Sequence, residues 1–545
     1  MKSVLLVLIL VSQFTVGQRL NKADKSVIEN IKTEISYLAS DELRGRRTGT
    51  PGERMAYEFL STRFEKAGLS PKGDGNGFIQ AFEINEGKQI SSSSHLVIND
   101  KAFEVGNDFF PLIFSGQGVI KANASLAFKE KGMPWFWDIQ DVLEENKNNP
   151  HYDLLNAIRN KALEFSGMGA SACLIFNSGN EDDQLRFDGK SAMQPIKIPV
   201  VYLSKSISQN YLSDQSANLN IEFQITIDDK KRAGHNVIGY IDNNAAHTII
   251  LGAHYDHLGS GEDHNSLWTG KPAIHNGADD NASGVAAVLE LAKFLKKSNL
   301  KNNNYLFICF SGEELGLFGS KYFTAHATIP LENVNYMINC DMVGRLNDSS
   351  RVLVVGGYGT SPVWGKILPE KTKAVSVTFD SSGIGPSDHT SFYLRNIPVL
   401  FFFTGTHSDY HKPTDDVYKI NFVGELRVIQ YIQNVLKATD KMGKLAFLKT
   451  REPQMGTSPH FSVTLGIMPD YTYPGPGVRI DAVIDGKIAK NAGMMPGDVV
   501  AKLDNFTITD IYNYMDALGK YKKGEAATVT ILRDKKTKTF DIIFK

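Results

Sequence analysis

A chain of 545 residues is too long for one ordinary domain, and its length argues for roughly three or four. Its 59 Lys and Arg balance 60 Asp and Glu at a net charge of -1, which excludes a global basic field for nucleic acid or acidic membranes and leaves partner choice to local sites. Three cysteines without local pairing exclude a disulfide scaffold; Cys173, Cys309 and Cys340 sit in strand-like apolar runs and read as buried thiols.

The N-terminus carries Lys2, an apolar run over residues 4–11, and then Phe14-Thr15-Val16-Gly17. This is the layout of a secretory signal over residues 1–17, with Gln18 opening the mature protein. The run falls short of the ~20 residues that span a bilayer, as does the apolar stretch at 397–403. The expectation is a soluble protein, secreted or periplasmic, with no transmembrane segment once the signal is removed.

Residues 24–69 show helical periodicity in two pieces, through Val27, Ile31, Ile35 and Leu38 and then Met55, Phe59, Leu60 and Phe64. Between them, Arg44-Gly45-Arg46-Arg47 reads as a solvated or salt-bridged loop rather than a clamp for a substrate carboxylate. From about 82 to 229 the texture changes to short strands and turns, with a helical run at 152–165 and buried strands at 172–176 and 198–203. Strand-like runs at 237–241, 248–252, 305–311, 336–340, 352–355 and 398–403 then alternate with helical segments, one of them over 285–297. That alternation predicts an α/β fold with a doubly wound, mostly parallel sheet. A helix over 422–442 closes this unit, and a polar linker at 449–459 leads to a short β-rich tail with a helix over 510–518.

Such sheets bind ligands beyond the carboxyl ends of their strands, and the chemistry-bearing residues stand at such places. His254, Asp279-Asp280, Glu313-Glu314, Asp341 and His411 supply the mixed imidazole and carboxylate set that holds zinc-like ions. Asp279, with two oxygens, is placed to bridge two cations, one completed by Glu314 and His411 and the other by His254 and Asp341. Asp256, two residues after His254 on an extended segment, is expected to hold that imidazole's second nitrogen. Glu313 is left to take a proton from water. His257, His264, His275, His389 and His407 read as supporting or surface histidines, with His407 competing with His411 for the last ligand position.

His254-Tyr255-Asp256, Gly277-Ala278-Asp279-Asp280-Asn281-Ala282-Ser283-Gly284, Ser311-Gly312-Glu313-Glu314-Leu315-Gly316, Asn339-Cys340-Asp341-Met342 and Tyr410-His411 together resemble the co-catalytic zinc aminopeptidases of the M28 family. The resemblance covers residues 24–85 and 231–445. It implies two Zn2+ ions, peptide substrates with a free N-terminus, a bridging Asp279 and a cis peptide between Asp279 and Asp280. Relatives place an oxyanion-holding tyrosine shortly before the Ser387-Asp388-His389 motif; Ile384 and Gly385 stand there, so Tyr410 or a water is the candidate substitute. Within residues 86–230, the stretch from Lys161-Ala162 to Asn177 and Ile198-Pro199-Val200-Val201, about half of the segment, resemble a protease-associated domain, a non-catalytic insert expected to be a lid or spacer. Residues 455–545 resemble a PDZ domain, whose Leu465-Gly466-Ile467 turn would present amides to the C-terminal carboxylate of a peptide or protein, unless the domain is only a rigid packing module. The function implied is an exported di-zinc aminopeptidase with Glu313 as general base. The alternatives are a glutaminyl cyclase with one zinc on Asp279, Glu314 and His411, another exopeptidase of this fold such as a carboxypeptidase or dipeptidase, and a non-catalytic binding module.

Overall fold

The computed structural model describes residues 20–450, apart from 148, 150, 151, 190, 192, 215 and 264, and residues 463–544, apart from 470–472, 474, 484, 485 and 510. The signal-like segment, His264, Asp510 and nearly all of the 449–459 linker lie outside the described residues. The chain divides into two compact units, Met1–Phe82 with Ala233–Lys545, and Glu83–Arg232.

The first unit opens with α1 (Lys22–Leu38), started by a capping box in which the Asn21 side chain accepts from the Asp24 amide and Asp24 accepts from the Asn21 amide. Helix α2 (Pro51–Lys66) starts at a Thr50 cap with proline in its first turn, where the missing N–H costs nothing. There follow β1 (Ile227–Ile241), β2 (Thr248–His254), α3 (Gly284–Lys297), β3 (Asn304–Phe310), α4 (Phe318–Ala325), β4 (Val334–Cys340), β5 (Val352–Gly356), β6 (Ser376–Phe379), α5 (His389–Tyr393), β7 (Val399–Phe403) and α6 (Phe422–Thr439). Seven of these strands lie side by side in the order β1-β3-β2-β4-β7-β5-β6. The centre is parallel: β2 pairs with both β3 and β4, and β4 with β7, while β1 and β5 join antiparallel. Alternate residues of β3 enter opposite cores, Tyr305, Phe307 and Cys309 on one face and Leu306, Ile308 and Phe310 on the other. Burial on both faces is why these strands read as continuous apolar runs. The short strand β6 carries no such run and was not expected.

The sequence places α3 correctly, with Val285, Val288, Leu289, Ala292 and Leu295 buried. The loop between α1 and α2 departs from expectation. Arg46 is fully buried and donates to the backbone carbonyls of Leu38, Tyr255, Asn276 and Gly277, so it cross-braces the segments flanking His254 and Asp280. Arg47 does form an ion pair, with Asp263 at 2.7 Å.

The tail of this unit contains β8 (Ile467–Pro469), β9 (Val478–Val483), β10 (Val499–Leu503), α7 (Ile511–Leu518), β11 (Ala526–Arg533) and β12 (Lys536–Ile543), with sheet order β8-β9-β10-β11-β12. It has its own core around Leu465, Ile480, Val500, Tyr514, Val529 and Phe544. Gly466 takes a left-handed φ of 73°, and its amide donates to Thr464 Oγ1 at 3.0 Å, so this amide of the expected carboxylate-binding turn is engaged within the turn.

The second unit holds two four-stranded sheets. Its strand Ala172–Phe176 sends Ala172, Leu174 and Phe176 into one core and Cys173 and Ile175 into the other. The helix expected at 152–165 runs Leu154–Met168 and stops at Gly169, whose φ of 105° suits glycine. Among the described residues no helix is long and apolar enough to cross a membrane.

Candidate metal centre

Parallel pairing brings the carboxyl ends of β2, β3, β4 and β7 to one rim, and the functional side chains follow within a few residues. His254 closes β2. Its Nε2 lies 3.4 Å from Asp280 Oδ1 and 3.4 Å from Asp341 Oδ1. His411 Nε2 lies 3.4 Å from Asp280 Oδ2 and 3.1 Å from Glu314 Oε2. One carboxylate, that of Asp280, thus stands between two imidazole and carboxylate sets.

The structure sets Asp280, and not Asp279 as expected, between the two sets. Asp279 Oδ1 accepts from the Gly344 amide at 2.7 Å and the Ser283 hydroxyl at 3.0 Å, and its Oδ2 lies 3.1 Å from His407 Nε2. Those contacts occupy both oxygens and also account for His407, which is held there and away from the last ligand position. The cis peptide is likewise one residue on, between Asp280 and Asn281. Asp415 Oδ2 accepts from the amides of both aspartates, at 2.9 and 3.0 Å, and fixes the turn.

The imidazoles are oriented by backbone. His254 Nδ1 lies 3.2 Å from the Asp256 carbonyl oxygen and 3.8 Å from its carboxylate, so the carbonyl holds the ring. The Asp256 carboxylate is turned elsewhere. Its Oδ1 accepts from the Glu313 amide at 3.2 Å and its Oδ2 from the Thr48 hydroxyl at 3.1 Å, which sets the turn after β3. His411 Nδ1 meets the Asn265 carbonyl at 2.9 Å, which turns Nε2 toward Asp280 and Glu314.

The sequence reads His257 as a supporting or surface histidine, and it is fully inside the cluster. Its Nδ1 is 2.7 Å from Glu314 Oε1 and 3.9 Å from Asp280 Oδ2, close enough to form a second potential metal-holding group with them. Its Nε2 has no hydrogen-bond partner among the described residues, whereas the second nitrogens of His254 and His411 are both anchored. His257 thus holds Glu314, and His411 is the neighbouring imidazole whose second nitrogen is anchored. Of the other histidines, His275 Nε2 meets the Ser266 hydroxyl at 2.7 Å, and His389 stacks on Phe401 with ring centres 4.5 Å apart.

The electrostatics follow from crowded carboxylates in a buried place. Burial pushes the Glu313 carboxyl well above its usual range; His254 opposes this, and Glu314 and Asp341 add to it. Burial would raise Glu314 too, but His411 and hydrogen bonds from His257 and His411 prevail and hold it near about 2. Burial disfavours a charged His254, and the Glu313 and Asp341 carboxylates overcome that and raise it well above 6.5. Protonated imidazoles therefore balance the carboxylates when no cation does. A divalent cation would take over that role, and the donor set of imidazole nitrogens and carboxylate oxygens suits one.

Glu313 stands apart from both sets, with Oε2 4.0 Å from His254 Nε2. A cavity of about 660 Å³ opens over the cluster; Glu313, Tyr410 and His411 line it, together with an apolar wall of Met342, Val354, Phe379, Ile384, Phe401 and Phe403. The Tyr410 ring stacks on that of His411 with centres 3.9 Å apart.

A model of peptidase family M28 matches residues 236–435, the segment that supplies both imidazole and carboxylate sets and Glu313. The chain carries an M28 peptidase domain. A PDZ domain model matches residues 455–544. Aminopeptidase YwaD of Bacillus subtilis is 27% identical over 278 residues, which cover 48% of this chain and 55% of YwaD. The lipoprotein aminopeptidase LpqL of Mycobacterium tuberculosis, a probable assignment, is 29% identical over 257 residues, covering 44% of this chain and 47% of LpqL. An aminopeptidase of Pseudomonas aeruginosa is 28% identical over 396 residues, 68% of this chain and 69% of its own. The chain spans about half the length of the first two of these relatives. A solved zinc aminopeptidase of B. subtilis aligns at a TM-score of 0.42 and 20% identity, covering 79% of this chain and 96% of its own.

Proposed function

We propose that this chain is an exported di-zinc aminopeptidase that removes N-terminal residues from peptides. The observation that carries this reading is the Asp280 carboxylate set between His254 with Asp341 and His411 with Glu314, while the adjacent Glu313 stays outside both sets. His254, Asp341 and Asp280 would hold one ion, and Asp280, Glu314 and His411 the other. When bound, two zinc ions supply Lewis acidity and lower the pKa of water.

This chain's own residues do the rest. The acidic cluster attracts the substrate's free amine and so selects an N-terminus. The wall of Ile384, Phe401 and Phe403 receives an apolar first side chain and keeps bulk water off it. Glu313, made more basic by burial than an exposed carboxylate, takes a proton from the attacking water and returns it to the departing amine. Tyr410, which lines the cavity, would donate to the oxygen that gains charge. The 86–230 segment would serve as a protease-associated lid or spacer.

The test is metal analysis of the purified protein combined with hydrolysis of leucyl amide and of its N-acetylated form. Near two equivalents of metal, cleavage of the free amine only, and loss of cleavage on chelation are expected. A single tight ion with His254→Ala harmless would replace this reading by the single-zinc cyclase; cleavage of N-blocked peptides would replace it by a carboxypeptidase.

A further inference from the structure

The M28 domain does not line the cavity alone. The facing wall comes from the C-terminal domain: Pro469 at the end of β8, Tyr473, Gly477 and Val478 leading into β9, Thr509, and Met515 on α7. The two walls are tied where Thr406 Oγ1 donates to the Pro469 carbonyl at 3.0 Å. Thr406 lies in the segment between β7 and His411, which also carries His407 and Tyr410. Among the described residues β8 pairs with β9 alone in its sheet, so this bond gives a polar partner to an edge-strand carbonyl.

We propose that the C-terminal domain is the distal wall of the substrate site and makes the full chain selective for short peptides. This rests on the aminopeptidase reading above. The cavity of about 660 Å³ lined by both domains falls within the range of about 300–1,000 Å³ typical of sites for a drug-sized ligand. A peptide of a few residues fits that space with its amine at the acidic cluster. The chain beyond the scissile bond then runs toward Val478, Tyr473 and Met515. A longer peptide must displace that wall and break the bond between Thr406 and Pro469, so discrimination falls on length as well as on the first side chain.

The experiment uses the metal-loaded full-length protein. It compares kcat/KM for leucyl amide and for leucine-headed alanine peptides of increasing length, in the wild type and in Thr406→Val and Met515→Ala. A tripeptide with a reduced, non-cleavable first bond is the binding probe, followed by hydrogen exchange. Wild type should lose about tenfold or more in kcat/KM from the short to the long peptides, and both variants should flatten that fall. The bound tripeptide should slow exchange in residues 467–478 and 509–515 as well as in 399–411. Equal rates on short and long peptides, or protection confined to 399–411, overturns the wall. A protein that leaves leucyl amide intact overturns the aminopeptidase reading instead, and the exchange pattern then decides the wall by itself.

Discussion

His407 Nε2 lies 3.1 Å from Asp279 Oδ2, and this contact divides the work of two adjacent aspartates. With Gly344 and Ser283 on its other oxygen, Asp279 is a brace for the turn. Asp280 is left between the imidazoles of His254 and His411. Asp280→Asn should therefore lower bound metal and hydrolysis together, by at least about 10²-fold in activity, because it removes the charge shared by both sites. Asp279→Asn should keep the metal while losing roughly 1–3 kcal/mol of stability through weakened buried hydrogen bonds. Metal content and thermal melting of the two variants check this, and the opposite pattern would return the bridge to Asp279.

The helix after Gly284 and the central strands were legible because each has one dominant signal: 3.6-residue periodicity in α3, and continuous apolar runs in β2, β3 and β4 that are buried on both faces. The rim location of His254, Glu313, Glu314 and Asp341 followed from the sheet type. What could not be read was which atom of a residue would be used. Asp279 and Asp280 are neighbours in an irregular turn, and Gly344 and His407, distant in sequence, decide between them. Asp256 sits where expected but offers His254 its carbonyl and gives its carboxylate to Glu313. Arg46 looked like a surface charge because the four carbonyls that bury it come from three segments far apart in sequence. Nor does any spacing in the chain place Met515 or Pro469 opposite the metal centre.

A pH effect separate from the metal centre is expected at Glu425 on α6. It is fully buried, and neither carboxylate oxygen has a hydrogen-bond partner among the described residues. Burial, helped by Asp279, Glu34 and Glu290, raises its carboxyl well above 4.5. A raised folded-state value means that its contribution is fully present below pH 4.5 and is lost as pH rises toward the folded value, at up to about 1.4 kcal/mol per pH unit. Glu425→Gln should thus change little at pH 4 and raise the melting temperature progressively above pH 5. A Tm difference that does not grow with pH would mean that the carboxylate is ionised in the fold.

Tyr410 is a phenol that lines the cavity beside His411, whereas the Ile384 side chain on the same cavity is apolar. If Tyr410 supplies the oxyanion donor, Tyr410→Phe should lower kcat by about 10²–10³-fold at normal metal content with KM little changed, since the bond strengthens only as charge develops. Kinetics on leucyl amide with metal analysis check this. An unchanged kcat would hand the role to a water.

The sharpest test separates Glu313 from Glu314. Glutamine keeps the size of glutamate and a hydrogen-bonding group but accepts no proton near neutral pH. Glu313 lies outside both groups of potential metal-holding side chains, so Glu313→Gln should keep its metal and lose proton transfer, with kcat falling by about 10²–10⁴-fold. Glu314 contacts both His257 and His411 and is held strongly acidic, as a ligand must be to stay charged. Glu314→Gln should weaken metal retention and activity together, and excess metal should restore part of its rate but none of that of Glu313→Gln. Metal analysis, with kcat measured against added zinc, tells the two apart. Metal loss in Glu313→Gln with retention in Glu314→Gln would reverse the assignment of these adjacent carboxylates.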